Sequence, residues 1–125
     1  MELLAPVGNE KNFFAAVNHG ADAVYLGMDD FSARKNAGNF NAENIAYYIA
    51  YAHVFGVKVY VAVNTLVKNT ESDAFMQTVR TAYLAGADAF IIQDVFLGKI
   101  LKQAFPDITL HLSTQAGVNN AYGAV

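Results

Sequence analysis

Gly20-Ala21-Asp22-Ala23-Val24-Tyr25 returns as Gly86-Ala87-Asp88-Ala89-Phe90-Ile91, and Gly56-Val57-Lys58-Val59-Tyr60 is a looser copy between them. In each copy a glycine ends a helical pattern and a short apolar run begins two or three residues later. Glycine suits the left-handed position that closes a helix, which residues with a Cβ resist. The apolar run reads as a strand. Repetition of helix, glycine and strand implies right-handed βαβ units and a parallel sheet.

The rest of the chain extends this alternation. The spacing predicts strands over Glu2–Ala5, Ala23–Leu26, Val57–Val63, Ala89–Ile92 and Ile108–Leu112. A first helix capped by Asn9 runs to Asn18, with His19 in its last turn. Asn41 is expected to cap a second helix running to Phe55. Thr70 and Asp73 make a capping-box-like start to a third, ending at Gly86. Asp94 caps a fourth, which ends at Ala104 before Pro106. A fifth helix is expected to start near Asn119–Val125, so residues 1–125 read as part of a (β/α) barrel domain cut within its fifth β/α unit. A doubly wound open sheet competes with a closed barrel on pattern alone. A barrel needs about 250 residues, roughly twice this chain. The first turn has Gly8 without the further glycines of a dinucleotide fold.

In either architecture chemistry sits beyond the C-terminal ends of the strands. Alternation sorts the two faces of each strand. Val57, Val59, Val61 and Val63 should pack on helices, leaving Tyr60, Ala62 and Asn64 inward, with Tyr25 matching Tyr60. Leu110 and Leu112 should pack outward, leaving Thr109, His111 and Ser113 inward and Gln115 just beyond. If Phe90 and Ile92 face helices, Gln93 reaches the mouth. The candidate site is thus Tyr25, Tyr60, Asn64, Gln93, His111, Ser113 and Gln115: rich in hydrogen-bonding groups, poor in charge, and suited to orienting a polar substrate. It supplies neither a carboxylate pair nor a metal box. The long loop Met28–Phe40 adds Arg34 and Lys35, candidates for a phosphate or carboxylate.

Each candidate also has a purely structural use. His19 and His53 suit the last turns of helices, where the dipole favours an imidazolium. Tyr25 and Tyr60 could simply fill the lumen, Asn64 bond its own loop, and Asp94 cap a helix. The apolar second helix, with Tyr47, Tyr48 and Tyr51, reads as packed on more than one side.

Composition narrows the function. Hydrophobic residues are 54% and charged residues 15% of the 125, which excludes disorder. The net charge of −3 argues against non-specific nucleic-acid binding, so an RNA substrate would need basic residues from elsewhere. With no cysteine, this segment can hold neither a disulfide nor an iron–sulfur cluster. The Met1–Pro6 start has no signal-peptide pattern, and the apolar stretch Ile45–Phe55 is too short to span a bilayer. A cytoplasmic protein without a membrane partner is expected.

Several segments together carry a family resemblance. They are Glu2-Leu3-Leu4-Ala5-Pro6-Val7-Gly8, Gly20–Gly27, Phe31-Ser32-Ala33-Arg34 with Gly38-Asn39-Phe40, Gly56–Val61 with Asn64-Thr65-Leu66, Ile92-Gln93-Asp94, and His111-Leu112-Ser113-Thr114-Gln115. In this order they resemble the opening of the collagenase-like peptidases, peptidase family U32. The resemblance spans essentially the whole chain. It implies the N-terminal half of a TIM-type barrel and, nominally, a hydrolase of peptide bonds. Other members are linked to hydroxylation of a base in ribosomal or transfer RNA, or to oxygen-independent quinone hydroxylation. These use cysteine-ligated iron–sulfur clusters and in some cases prephenate. The Ala33-Arg34 loop with Asn39-Phe40 looks most like the branch linked to ribosomal RNA hydroxylation. The family's cysteine signature lies downstream of the segment seen here.

Three functions follow as expectations. The first is peptide hydrolysis, with His111, Ser113 and Asn64 as catalytic groups. The second is RNA-base hydroxylation with a cluster supplied by the remaining C-terminal part. The third is a docking fragment without catalysis. Tyr25, Arg34, Lys35, Tyr60, Gln93 and Gln115 are then substrate-binding groups for peptide or RNA. The partners expected are the other barrel half, further domains and, through open barrel edges, a second copy.

Overall fold

The structure is a computed structural model and describes residues 2–28, 40–41, 43–63, 72–93 and 95–112. Strands and helices alternate as β1 (Leu4–Pro6), α1 (Glu10–Asn18), β2 (Ala23–Gly27), α2 (Ile45–Val54), β3 (Lys58–Val63), α3 (Ser72–Leu84), β4 (Ala89–Ile92), α4 (Val95–Ala104) and β5 (Leu110–Leu112). All pairings are parallel and the strand order is β1-β2-β3-β4-β5. A doubly wound sheet would reverse its strand order partway and carry helices on both faces. Here the order never reverses, and the two faces are unlike. One holds Val24, Leu26, Val59, Val61, Val63, Phe90 and Ile92, packed with Phe13, Ile49, Phe75, Val79 and Leu101 of the helices. The other gathers Ala23, Tyr60 and Ala89, with Tyr25 and Ile91 against them and no helical residue among them. The winding is single, and the fold is the open N-terminal part of a (β/α) barrel.

The repeated Gly-Ala-Asp unit explains the joints. Gly20, Gly56 and Gly86 take φ of 99°, 72° and 102°. The N–H after each glycine closes back on the helix: Ala21 to the Ala16 carbonyl, Val57 to Ala52, Ala87 to Ala82. The aspartates then bind the start of the preceding strand. Asp22 Oδ2 accepts from the Leu3 N–H at 2.7 Å, and Asp88 Oδ2 accepts from the Val59 N–H at 2.7 Å.

Boundaries shift for local reasons. Asn9 caps α1 as expected, its Oδ1 accepting from the Asn12 N–H. Asn41 does not directly precede α2. Its Oδ1 accepts from the Glu43 and Asn44 N–H groups while Asn44 Oδ1 accepts from the Asn41 N–H, so a reciprocal turn comes first and α2 begins at Ile45. The first strand starts later than expected because the Leu3 N–H goes to Asp22; it runs through Pro6, tolerable at a sheet edge. Likewise β3 starts at Lys58, and β5 at Leu110 because the Ile108 N–H is taken by the Phe105 carbonyl. Asp94, Thr70 and the proposed fifth helix lie outside the described residues.

The apolar α2 is packed on two sides. Ile45, Ile49 and Ala52 join the core, while Tyr48 and Tyr51 meet Phe13 and Phe14 of α1 at ring-centroid distances of 4.9–6.1 Å. Tyr51 also donates to Asn18 Oδ1. Among the described residues no helix is long and apolar enough to cross a membrane.

Candidate functional site

Register sets the inward residues in rows. One row runs Pro6, Tyr25, Tyr60, Ala89; the next, toward the C-terminal ends, runs Gly27, Ala62, Ile91, His111. The first row is bulky at β2 and β3, the second small at both. Tyr25 and Tyr60 therefore plug the lumen, and Gly27 and Ala62 leave room above the plug, at the end where barrel chemistry sits. The inward placement of Tyr25, Tyr60 and His111 agrees with alternation, and so does the helix-facing placement of Phe90, Ile92 and Leu110. Gln93 directly follows β4 and is half-buried. Asn64, Ser113, Gln115, Arg34 and Lys35 lie outside the described residues.

One expectation changes. Alternation put Tyr60 in the mouth, but its hydroxyl turns toward the N-terminal end of the lumen. There it donates to the Glu2 carboxylate, 2.9 Å from Oε1 and 3.1 Å from Oε2. Tyr60 is 6% exposed. Burial, and then the Glu2 carboxylate that accepts its hydrogen bond, push its hydroxyl up to about 12. Alternation fixes which face a side chain occupies and says nothing of which way it leans along the strand. Tyr60 is a locked neutral donor, already partnered.

His111 stands edge-to-face with Tyr60, ring centroids 5.0 Å apart and planes at 79°. Both line a cavity of about 230 Å3 with Lys58, Asp88, Ala89 and Thr109. Lys58, Asp88 and Thr109 stand at or just before the starts of their strands, so this cavity opens at the N-terminal end of the lumen. His111 belongs to the upper row and borders this cavity from above. Among the described residues it is the one histidine facing the lumen. His53 stands in the last turn of α2, as expected, and has a specific partner besides: its Nε2 lies 2.8 Å from Asp88 Oδ2.

Sequence reading missed Glu2 and Asp88. The repeated Gly-Ala-Asp could have flagged Asp88; no local signal marks Glu2, whose partner lies 58 positions away. The residues do not fit an iron–sulfur cluster: the chain has no cysteine, and among the described residues no group of three His, Asp or Glu side chains could hold a metal ion. What the described site can do is bind and orient a polar group over a tyrosine floor, with one imidazole at its edge.

Comparison with known proteins identifies relatives along almost the whole chain. The chain is 39% identical over 119 residues to tRNA hydroxylation protein P of Escherichia coli K12, which covers 95% of this chain and 26% of that protein. It is 38% identical over 118 residues to the 23S rRNA 5-hydroxycytidine C2501 synthase of the same organism, covering 94% and 18%. To the collagenase of Porphyromonas gingivalis it is 31% identical over 121 residues, covering 96% and 29%. The chain thus spans roughly a quarter of the length of the curated relatives it matches. The family model described as peptidase family U32 matches residues 8–125, and the chain belongs to that family.

Proposed function

We propose that the protein carrying this chain takes part in hydroxylating a base in RNA, and that this segment forms the N-terminal part of its barrel. The observation that carries the reading is the 39% identity to a tRNA hydroxylation protein across 95% of the chain, joined by 38% to a ribosomal RNA hydroxycytidine synthase. The lumen geometry supports it. A flat base needs a polar, uncharged mouth above a solid floor, and the Tyr25–Tyr60 row under Gly27 and Ala62 provides the floor. Asn64, Gln93, Ser113 and Gln115 would hydrogen-bond the base edge, and His111 would hold or pass a proton beneath it. Arg34 and Lys35 would meet the phosphates, with further cations from outside this segment because its net charge is −3. Any iron–sulfur cluster in the full-length protein takes its thiolates from outside this chain.

Peptide hydrolysis is the second reading, favoured by the family's description and the collagenase relative. One experiment separates the two. Nucleosides from tRNA and rRNA of a strain lacking the gene are compared by mass spectrometry with the complemented strain. Loss of a nucleoside one oxygen heavier than its parent, restored by the gene, is the expected result. An unchanged nucleoside profile, with gelatin or peptide cleavage by the purified protein, would favour hydrolysis.

A further inference from the structure

Three polar side chains from alternate strands form a line across the lumen. Glu2 precedes β1, Tyr60 lies on β3 and His111 on β5; Glu2 bonds Tyr60, and Tyr60 packs on His111. By register the three stand at different levels of the lumen, His111 one row above Tyr60 and Glu2 below it, before the start of β1. Tyr60 bridges them by leaning toward the N-terminal end, where the small side chains of Ala23 and Ala89, buried at 0% and 1% exposure, pack with it. A layer of apolar side chains would fill this space equally well. A carboxylate tied to a phenol, and that phenol against an imidazole, fixes orientation as well as volume. Both Glu2 oxygens lie within hydrogen-bond reach of the hydroxyl, which restrains the phenol ring, and the ring restrains the imidazole.

We infer that Glu2 and Tyr60 are positioning residues, which hold the His111 ring in register beneath the barrel mouth from the opposite end of the lumen. The inference rests on the RNA-hydroxylation reading for its activity arm only. The charged groups lining the same cavity are Lys58 and Asp88, with Glu2 beyond Tyr60. Glu2→Gln keeps the size of the side chain and removes the charged acceptor of the Tyr60 hydroxyl.

The test uses full-length protein with ring-labelled histidine, the His111 signal being identified by its loss in His111→Gln. The variants are Glu2→Gln, Tyr60→Phe and Tyr60→Leu. Tyr60→Phe keeps the ring against His111 and loses the tie to Glu2; Tyr60→Leu loses both. The expected result is a displaced His111 signal in all three, largest in Tyr60→Leu. In the hydroxylation assay kcat should drop about tenfold in Tyr60→Leu with KM within about twofold, as for a misplaced group that does not itself bind substrate. Tyr60→Phe should recover part of that loss. An unmoved His111 signal in Glu2→Gln and Tyr60→Leu would overturn the inference, as would activity that merely tracks the folded fraction. Should the wild-type protein hydroxylate no RNA, the function reading fails, and the His111 signal alone decides whether Glu2 and Tyr60 position the ring.

Discussion

Replacing Asp88 by alanine tests how the barrel wall is stitched together. Its Oδ2 accepts the Val59 N–H at 2.7 Å and lies 2.8 Å from His53 Nε2, joining β4's entry to β3 and to α2. The two contacts are unequal. His53 and Asp88 are 40% and 30% exposed, so their pairing is worth only about 0.2–1 kcal/mol. Val59 is fully buried, and its amide would lose a charged acceptor, a loss of about 1.5–3 kcal/mol. The adjoining cavity lets water reach the vacated place, which favours the low end. The total for Asp88→Ala is about 2 kcal/mol. Amide exchange at Val59 in the full-length protein should accelerate by about thirtyfold, since 1.4 kcal/mol is a factor of ten. In a double-mutant cycle His53→Ala should cost less than about 1 kcal/mol, with coupling to Asp88 no larger than that. If Val59 exchange is unchanged in Asp88→Ala, or if most of the cost appears in His53→Ala, the reasoning is wrong.

The Tyr60 hydroxyl gives a pH signature. Its folded value, near 12, stands above the ordinary 10, so its contribution is intact below pH 10 and is lost as pH rises from 10 toward 12. Alkaline unfolding followed by circular dichroism should show this loss in wild type and lack it in Tyr60→Phe. Replacing Arg34 and Lys35 together by alanine in the full-length protein should weaken RNA binding at low salt and flatten its salt dependence; unchanged affinity at low salt would return the pair to surface solvation. The isolated 125-residue chain, with β1 and β5 at open edges, should self-associate in sedimentation experiments. A stable, cooperatively unfolding monomer would contradict that.

Much of the wall of this barrel is written locally. The Gly-Ala-Asp echo marks where each helix stops and the next strand starts, because a left-handed residue has one natural occupant. Alternating valines mark which side of β3 meets helices. What local pattern does not carry is reach along the strand axis or across the lumen. Tyr60 has the inward face that alternation predicts, yet its partner Glu2 is set by how far the sheet curls. His53 finds Asp88 across 35 positions because α2 and the β4 entry meet only in the folded sheet. At the start of α2, Asn41 and Asn44 are equally good caps by composition, and their mutual bonding decides the boundary. Asn64, Ser113 and Gln115 lie outside the described residues.

Under the proposed function, the lumen of this barrel segment carries chemistry at the level of His111. The direct measurement complements the gene-deletion strain with His111→Ala and quantifies the hydroxylated nucleoside in its RNA, alongside the level and melting temperature of the protein. The side chain faces an open lumen and gives up little more than its contact with Tyr60, about 0.5–1.5 kcal/mol. The expected result is normal protein level, nearly unchanged melting and a loss of the modified nucleoside on the order of a hundredfold, as for removal of a proton-transfer group. Modification at the wild-type level in His111→Ala would contradict it.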